Sequence, residues 1–447
     1  MYPVLQHDRS TSGGLAVRKG ILCAALAALV FSAFPVGAQA AGLPDLLPDM
    51  LATHERVQAA TQAQDAAAFR QRQAESGWYP KLDLVGDFSQ EFYDTNKQAL
   101  RNNYRNIQKL RGTQLLYDFG KTDSVIAQMG ATAEQAEQRK VLIRQALLLE
   151  GVTSYVNLLK HVRTLGYAMQ SVESFKKQSG IEEVLVEKGA GLSSDVLQAK
   201  YKLSGALGTQ VAVEGQLANA KSRFLAVYGF EVSDADVLDF EPPLVPYERI
   251  PASLDEAIEI ARTENPELLM AQKSVQMAEA ALDSANAKFY PSFNAFWEYW
   301  RKENDAGQKD TVQLEQRFGV EYTYNLLNGG GDMQAVEAAV RDRDSGVNSL
   351  KDMERTIEER IRTAWQNLLT ARARAEWFRS QASILEGFLE LARKERTLGN
   401  RSLLDVLAAE TDFYNAQIQL VGAEYDQMIE AYNLLYAMGR LELDLFL

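Results

Sequence analysis

Two aspartates occupy matching places in the sequence, each in the first turn of a helix that is predicted to restart after a break. Asp195 lies in "EKGAGLSSDVLQAK" and Asp405 lies in "TLGNRSLLDVLAAE", and a shift of 210 residues superimposes them together with Gly189 and Gly399. Glycine commonly ends a helix, and a carboxylate near the next helix start compensates the positive end of its dipole.

Side chains that usually perform catalysis or bind transition metals are scarce. Beyond residues 1–40 the only histidines are His54 and His161, and the single cysteine, Cys23, lies within those first residues. Zinc clusters and cysteine or serine–histidine nucleophilic sites are therefore almost excluded. The segment "NGGGD" lacks the lysine and hydroxyl residue of a phosphate-binding loop, and predicts a strand-to-helix turn. An enzyme is the least favoured function, and no cofactor or metal is expected.

The N-terminus resembles a secretory signal peptide. Arg18 and Lys19 precede the apolar run "GILCAALAALVFSAF", and small residues at Ala38 and Ala40 predict cleavage that removes residues 1–40. This removal takes away three basic residues and one acidic residue, and moves the net charge from −13 to about −15. An exported protein this acidic is a poor candidate for nucleic-acid binding.

An internal repeat organises the rest of the chain. The 210-residue shift places "LLYDFGK" on "YNLLNGGGD" and "LAVYGF" on "LYAMGR", and one residue off that register Tyr79-Pro80 matches Tyr290-Pro291. We predict a first copy at residues 41–229, a linker at 230–252, a second copy at 253–440 and a tail at 441–447.

Each copy is predicted to contain a helix, two strands, a long helix, a break and a final helix. In the first copy the helices are predicted at 50–77, 121–187 and 194–228, with strands at 80–92 and 106–118. In the second copy the helices are predicted at 253–288, 329–396 and 403–438, with strands at 291–301 and 311–326. A 67-residue helix is about 100 Å long. The two shorter helices of each copy together nearly match that length, so we expect them to stack end to end beside it and form a rod or tube.

Heptad spacing predicts that the helices pack along their length. One seam in the second copy consists of Tyr414, Ile418, Val421, Tyr425, Met428, Tyr432 and Leu435, and another in the first copy consists of Leu148, Val152, Tyr155, Leu159 and Val162. The first-copy positions that match the Tyr414 seam are mostly small: Ser204, Gly208, Val211, Gly215, Ala218, Ser222 and Leu225. Such residues predict an unusually close approach of two helix backbones.

The predicted strands alternate between apolar and charged residues. One face of 311–326 carries Val312, Leu314, Phe318, Val320, Tyr322, Tyr324 and Leu326, and one face of 80–92 carries Leu82, Leu84, Phe88 and Phe92. This pattern is typical of a membrane barrel with a polar interior, although it also fits a soluble half-buried hairpin. Because four strands cannot close a barrel, several protomers would share one, with "DTNKQALRNNYR" and "KENDAGQKD" as external loops. The predicted fold is therefore mainly α-helical with a transmembrane β-barrel.

With these features the sequence resembles the TolC-like outer-membrane channel family, which serves drug efflux and type I secretion. The resemblance rests on the duplication, the Tyr-Pro strand starts, Leu-x-Asn-Gly-Gly and the two Gly-x5-Asp-Val-Leu segments. It implies a homotrimer with a 12-stranded barrel in outer-membrane lipid and a periplasmic α-helical tunnel. The family works with a periplasmic adaptor and an inner-membrane pump, here an ABC exporter or another class. Residues 41–50, 230–252 and the tail would form an equatorial region.

The resemblance also implies a gate at the periplasmic entrance. Arg401 matches a family arginine that ties its turn to a neighbouring helix near Ser194, and Asp195 matches an acidic partner residue. Arg396 replaces a family tyrosine that reaches this acid, which suggests a salt bridge. Asp405 would form an acidic ring around the pore. The family's second entrance aspartate falls on Ala408, so a double ring is not expected.

Three functions remain open from the sequence alone. The segments "RSLLDVLAAE" and "AMGRL" are most similar to the branch that exports large adhesins through type I systems. Drug efflux with a different pump is the main alternative. A periplasmic adaptor or coiled-coil scaffold could share the helices, but would not need two strand pairs with charged faces and aromatic ends.

Overall fold

The computed structural model describes residues 42–95, 98–238 and 240–446, and the predicted signal peptide lies outside these ranges. The helices are α1 Leu43–Thr53, α2 Glu55–Glu75, α3 Lys121–Glu187, α4 Ser193–Tyr228, α5 Asp234–Leu238, α6 Leu254–Glu264, α7 Pro266–Ala287, α8 Gly331–Thr397 and α9 Leu403–Met438. The strands are β1 Lys81–Thr95, β2 Gln98–Tyr117, β3 Ser292–Glu303 and β4 Val312–Thr323. Within the described ranges, no helix has the length and apolar composition needed to cross a membrane.

The predicted repeat is visible in the elements themselves. The long helices α3 and α8 each contain 67 residues, and the following helices α4 and α9 each contain 36. Glycines with a left-handed backbone mark the same three boundaries in each copy, at Gly120, Gly189 and Gly229 and again at Gly330, Gly399 and Gly439. Only glycine adopts this conformation without a steric cost, so the sequence fixes these helix ends locally.

Three sequence expectations about the elements were wrong. The helix predicted at 50–77 is two helices, because His54 adopts an extended backbone and caps α2 by accepting a hydrogen bond from the Arg56 N–H. The helix predicted at 253–288 also divides, since Asn265 caps α7 and Pro266 occupies its first position. Most of "DTNKQALRNNYR" is strand rather than loop, because β1 and β2 stay paired up to Thr95 and Gln98.

Within the described residues, the core lies where α3 and α9 pass each other. Val421, Tyr425, Tyr432 and Leu435 of the predicted α9 seam are buried, which confirms that part of the heptad interpretation. Leu148, Val152, Tyr155 and Leu159 of α3 belong to the same cluster. The small-residue positions of α4 lie exposed within the chain, so the predicted close approach of two helix backbones is not made there.

Residues near 240 and near the C-terminus cover this core. The Tyr155 ring stacks on Phe240 with 5.0 Å between ring centroids, and its hydroxyl donates to the Glu241 carbonyl oxygen over 2.9 Å. Burial raises the pKa of Tyr155 to about 12. In the second copy Tyr432 stacks on Phe446 at 5.3 Å. Residues near 240 therefore pack against α3, and residues near the C-terminus pack against α9.

The strands form one antiparallel sheet in the order β1-β2-β3-β4. Its register places Leu84 opposite Leu110 and Trp297 opposite Phe318, so these side chains share one face. On that face Leu84 and Phe88 are each 75% exposed and Phe318 is 85% exposed. Pro80 and Pro291 immediately precede β1 and β3, as predicted. The alternation predicted for β1 and β4 is confirmed.

The opposite face of the sheet carries paired charges. Glu298, which is only 3% exposed, is bonded to Lys109 at 2.6 Å and lies 3.5 Å from Arg111 and 3.4 Å from Arg317. Arg111 also reaches Glu321 at 2.7 Å. Neighbouring strands therefore neutralise each other's charges on this face, while large apolar side chains stay uncovered on the other.

Candidate functional site

The two predicted helix breaks are formed by turns of the same geometry. At the first, Gly189 N–H donates to the Val186 carbonyl and Ala190 N–H to the Leu185 carbonyl. At the second, Gly399 N–H donates to the Arg396 carbonyl and Asn400 N–H to the Glu395 carbonyl. Both turns therefore satisfy carbonyl groups that the preceding helix leaves open, and both need the left-handed glycine that the sequence supplies.

The restarting helices differ in how they are capped. Ser402 caps α9: its Oγ accepts a hydrogen bond from the Asp405 N–H at 3.2 Å and donates to Asp405 Oδ2 at 2.7 Å. The helix α4 begins after Leu192, which has no capping side chain. Ser194 instead contacts Asp195 over 3.4 Å. The serine–aspartate pairing is thus tighter in the second copy.

The two turns lie beside each other within the chain. Leu403 and Leu407 at the start of α9 form a buried cluster with Phe175 of α3 and Ala199 of α4. Because α3 and α8 both run from the sheet to these turns, the turns lie about 100 Å of helix away from the strands. Most of the predicted site residues are thereby brought together at one end of the helical part, whereas Tyr79, Pro80, Tyr290 and Pro291 lie at the strand starts.

Arg396 joins the second copy to the first. Its Nη2 lies 3.4 Å from Glu182 Oε1 on α3, and its Nη1 donates to the Arg401 carbonyl over 3.4 Å. Glu182 is only 2% exposed and also accepts a hydrogen bond from Gln178. Within the chain Arg396 therefore pairs with Glu182, and a salt bridge with Asp195 stays a prediction.

Arg401 contacts only its own copy among the described residues. Its Nη1 donates to Glu395 Oε2 over 2.9 Å, and its guanidinium lies 4.7 Å from the centroid of the Phe388 ring. The resemblance assigns Arg401 a partner near Ser194 on a neighbouring helix. A single chain leaves that link a prediction.

The sequence analysis did not identify a second buried carboxylate that lies beside this site. Glu410 is 3% exposed and binds Arg393 through contacts of 2.6 and 3.0 Å, while its Oε2 has no hydrogen-bond partner among the described residues. Arg393 also reaches Ser174 of α3 over 3.4 Å. A usable signal existed, because Glu410 falls on the heptad line that runs through Leu403, Leu407 and Tyr414.

Asp405 faces solvent at the tip of the second turn. Its side chain is exposed, whereas Ala408 one turn further along is partly buried. The described residues contain no group of three or more histidine, cysteine, aspartate or glutamate side chains that could hold a metal ion. The geometry therefore offers two arginine–glutamate pairs that hold helices together and an exposed carboxylate that can attract cations.

The chain matches known proteins along most of its length. The family model "Outer membrane efflux protein" covers residues 46–229 and 257–440. The chain is 24% identical over 427 residues to outer membrane protein TolC of Salmonella enteritidis, across 93% of this chain and 85% of that protein. It is 22% identical over 411 residues to alkaline protease secretion protein AprF of Pseudomonas aeruginosa, across 90% and 85%. The CmeC outer membrane channel of Campylobacter jejuni has a similar fold, with a TM-score of 0.77 at 16% identity, across 89% and 85%.

Proposed function

This chain belongs to the outer membrane efflux protein family, and from that premise we propose that it is the exit duct of a tripartite export system for type I secretion substrates. It is an outer-membrane channel, and we propose a large adhesin as its cargo. An inner-membrane ABC exporter would supply the energy and a periplasmic adaptor would join the two. The chain itself would perform no catalysis.

The apolar face of the sheet is the observation that carries this proposal. Leu82, Leu84 and Phe88 of β1 and Phe318 and Val320 of β4 are large and uncovered, and they lie on the same face of the sheet at its two edge strands. Charged residues pair on the other face. Exposed apolar area of this extent is not stable in water and suits contact with lipid. In the proposed assembly this face meets the outer membrane and the charged face lines a water-filled interior.

The sheet edges support a closed assembly of three copies. Among the described residues β1 and β4 each pair with one neighbour only, so each leaves one row of backbone hydrogen-bonding groups open. In lipid these groups must be satisfied by other strands. Three copies would provide 12 strands, above the minimum of about eight that a barrel needs. Residues 41–50, 230–252 and 441–447 would then form the equatorial region of the tunnel.

The paired turns would form the gate at the periplasmic entrance. Arg396 links α8 to α3, and in a ring of copies Asp405 would project toward the pore axis while Arg401 and Asp195 met across the subunit boundary. Opening would separate the turns and break the Arg396 contact. Tyr79, Pro80, Tyr290 and Pro291 would mark the other end of the tunnel, where the helices meet the barrel.

The similarity to a protease secretion protein supports protein cargo over small molecules. The relative AprF is named for secretion of an alkaline protease. Deleting the gene and comparing extracellular proteins and drug susceptibility with the complemented strain tests the proposal. We expect loss of one large secreted protein with unchanged susceptibility, and co-purification of an ABC exporter. Raised susceptibility with an unchanged set of secreted proteins would instead identify a drug efflux channel.

A further inference from the structure

The connection between β3 and β4, residues 304–310, is folded back onto the sheet instead of extending away from it. Its short helical turn contacts both β2 and β1. Asn304 Nδ2 donates a hydrogen bond to the Tyr104 carbonyl oxygen over 3.0 Å, and Arg105 Nε donates to Asp305 Oδ1 over 2.9 Å. Two consecutive residues of the connection are thereby bound to two consecutive residues of β2.

The connection leans over the charged face of the sheet. Arg105 lies four residues before Lys109 on β2 and projects from the same face, because side chains alternate along a strand. The Arg105 Nη1 lies 3.2 Å from Asp87 Oδ2 and 3.1 Å from Glu91 Oε1, both on β1. Since Asp305 binds this same guanidinium, the connection is drawn across the charged face and not across the apolar one.

This connection lies at the end of the sheet that is farthest from the helices. At the opposite end, β2 leads into α3 and β4 leads into α8. In the proposed channel the helices are periplasmic and the charged face lines the interior. The connection therefore covers part of the outer opening.

The connection has a fixed and strained shape. Asn304, Ala306 and Asp310 have φ angles of 57°, 52° and 57°, in the left-handed region that favours glycine. The Asn304 side chain accepts a hydrogen bond from the Asp310 N–H over 2.7 Å, and the Asn304 N–H donates to the Thr311 carbonyl oxygen over 2.9 Å. Strained backbone persists only where surrounding contacts hold it, and it is concentrated at functional sites. The bond to Arg105 is one of the contacts that hold this one.

The three carboxylates that meet Arg105 share its single positive charge. Within the described part of the chain, no second basic side chain forms an ion pair with any of them. Asp87 and Glu91 are fixed by the pairing of β1 with β2, whereas Asp305 belongs to a connection between strands. Once the bond between Arg105 and Asp305 breaks, repulsion from the two strand carboxylates favours movement of the connection away from the interior.

We propose that residues 304–310 form a strap that Arg105 holds across the outer opening of the channel, and that the strap swings outward when Asp305 is released. The strap rests on the proposed function, because it needs a barrel whose interior carries cargo. A polypeptide that leaves the channel displaces the strap, while Arg105 keeps its bonds to Asp87 and Glu91. The strap closes again when Asp305 returns to the guanidinium.

Access to the channel interior from outside the cell measures whether the strap is closed. Beyond the predicted signal peptide the chain contains no cysteine, so Thr113→Cys on the charged face of β2 provides a single reporter thiol. Intact cells that carry this reporter are treated with a small maleimide or with a maleimide attached to a long polyethylene glycol chain. The rate of labelling by each reagent is then compared between the parent protein and the strap variants.

Arg105→Gln should raise the rate of labelling by the large reagent several-fold, because it removes all three ion pairs. Asp305→Asn should raise it less, since the amide oxygen can still accept the hydrogen bond from Arg105. Asp310→Asn is the matched control, because it makes the same change in the same connection and leaves the backbone bond to Asn304 in place. Arg105→Asp combined with Asp305→Arg restores an ion pair with the charges exchanged, and should return the rate toward that of the parent.

The small maleimide separates a failed strap from a failed channel. It should label Thr113→Cys at the same rate in every variant, which shows that the barrel is intact and filled with water. Equal labelling of the parent and Arg105→Gln by the large reagent would then overturn the strap and leave the channel in place. If the small reagent labelled neither Thr113→Cys nor a second reporter on the same face, Thr323→Cys, the interior would be closed to water and the proposed function would fail as well.

Discussion

Arg396 on α8 and Glu182 on α3 form an ion pair with 3.4 Å between Nη2 and Oε1, and the glutamate is almost completely buried. The pair connects the last turn of the second long helix to the last turns of the first. Removing one member of a buried pair leaves an uncompensated charge and costs about 3–5 kcal/mol. The contact is therefore well suited to hold the two turns together in a closed entrance.

We expect Arg396→Ala to raise the single-channel conductance in planar bilayers, because it removes the ion pair that joins the two repeats of one chain at the proposed closed tip. Glu182→Gln should raise it less, since a neutral side chain can keep its hydrogen bond with Gln178. Arg401→Ala should also raise the conductance if its partner is on a neighbouring protomer. A matched control is Arg379→Ala, because the ion pair of Arg379 with Glu424 joins two helices of the same repeat. Equal conductance of Arg396→Ala and wild type would contradict the gate.

The exposed carboxylate of Asp405 should set the preference for cations at the entrance. Asp405→Asn keeps a side chain that can accept the Ser402 hydrogen bond but removes the charge. We expect weaker block by multivalent cations and a reversal potential shifted toward zero in a salt gradient. Asp255→Asn is the control, since Asp255 also lies in the first turn of a serine-capped helix, α6. An unchanged response to multivalent cations would exclude Asp405 as the blocking site, and Ala408 explains why no second ring would compensate.

Arg393 should matter for stability more than its neighbour Lys394. Arg393 is the partner of Glu410, whose carboxylate is buried and half satisfied, whereas Lys394 bonds the exposed Glu390. Arg393→Ala should destabilise the α8–α9 hairpin by about 3–5 kcal/mol, and Lys394→Ala by less than about 1 kcal/mol. The stabilities of the two variants can be compared by limited proteolysis of the hairpin at increasing temperature. Glu410→Leu should restore much of the resistance in the Arg393→Ala background, because it removes the unpaired charge.

The pair formed by Glu264 and Arg440 predicts a dependence of stability on pH. Two contacts of 2.6 Å join the guanidinium and the carboxylate, and the hydrogen bond from Arg440 lowers the pKa of Glu264. A carboxyl group with a lowered pKa in the folded state stabilises the fold above its unfolded pKa, about 4.3. That contribution is lost as the pH falls through the folded pKa. Both side chains are about 40% exposed, so screening limits it to about 0.5 kcal/mol.

Thermal unfolding of wild type and Glu264→Gln at pH 7 and pH 3 tests whether this contribution to stability is lost at low pH. The wild type should melt slightly higher at pH 7, and the difference should disappear at pH 3. A difference in melting temperature between the two proteins that grew on acidification would contradict a stabilising ion pair of Glu264 with Arg440.

The sequence was sufficient to predict those helix ends and strands that are determined by residues close to them in the chain. The ends of α4 and α9 were predicted within one residue, because Gly189, Gly399, Ser402 and Gly439 carry turn and cap signals in their own side chains or backbone freedom. The strands were predicted from another local signal, the alternation of apolar and charged residues along each segment. The break at His54 was missed because histidine is an uncommon helix cap. The start of β2 at Gln98 was missed because polar residues interrupt both faces of residues 98–105.

The partners of the site residues depend on packing between distant parts of the chain. Arg396 and Glu182 lie 214 residues apart, and their contact follows from how α8 and α9 lie against α3. Asp195, Glu182 and Glu183 are all acidic residues near the same turn, so sequence spacing could not choose among them. The buried Glu410 was visible as an acid on an apolar heptad line, but its partner Arg393 required the antiparallel fold of α8 and α9.

Gly229 and Gly439 occupy equivalent places in the two copies but should respond differently to the same substitution. Both have a left-handed backbone, with φ of 81° and 83°, where a side chain costs about 1–2 kcal/mol. A Cβ at Gly229 would have no atom of the described residues within 4 Å, whereas one at Gly439 would lie 2.7 Å from the Glu264 carbonyl oxygen and 2.8 Å from the Asn265 Cα.

Gly439→Ala must therefore displace the backbone that joins α6 to α7. This displacement would also disturb the hydrogen bond that Gln145 donates to the Gly439 carbonyl at 2.6 Å. We expect Gly439→Ala to lower the midpoint of thermal unfolding several degrees more than Gly229→Ala does, because steric displacement adds to backbone strain only at the second site. Equal losses for the two variants would show that the backbone conformation alone makes glycine necessary at both helix ends.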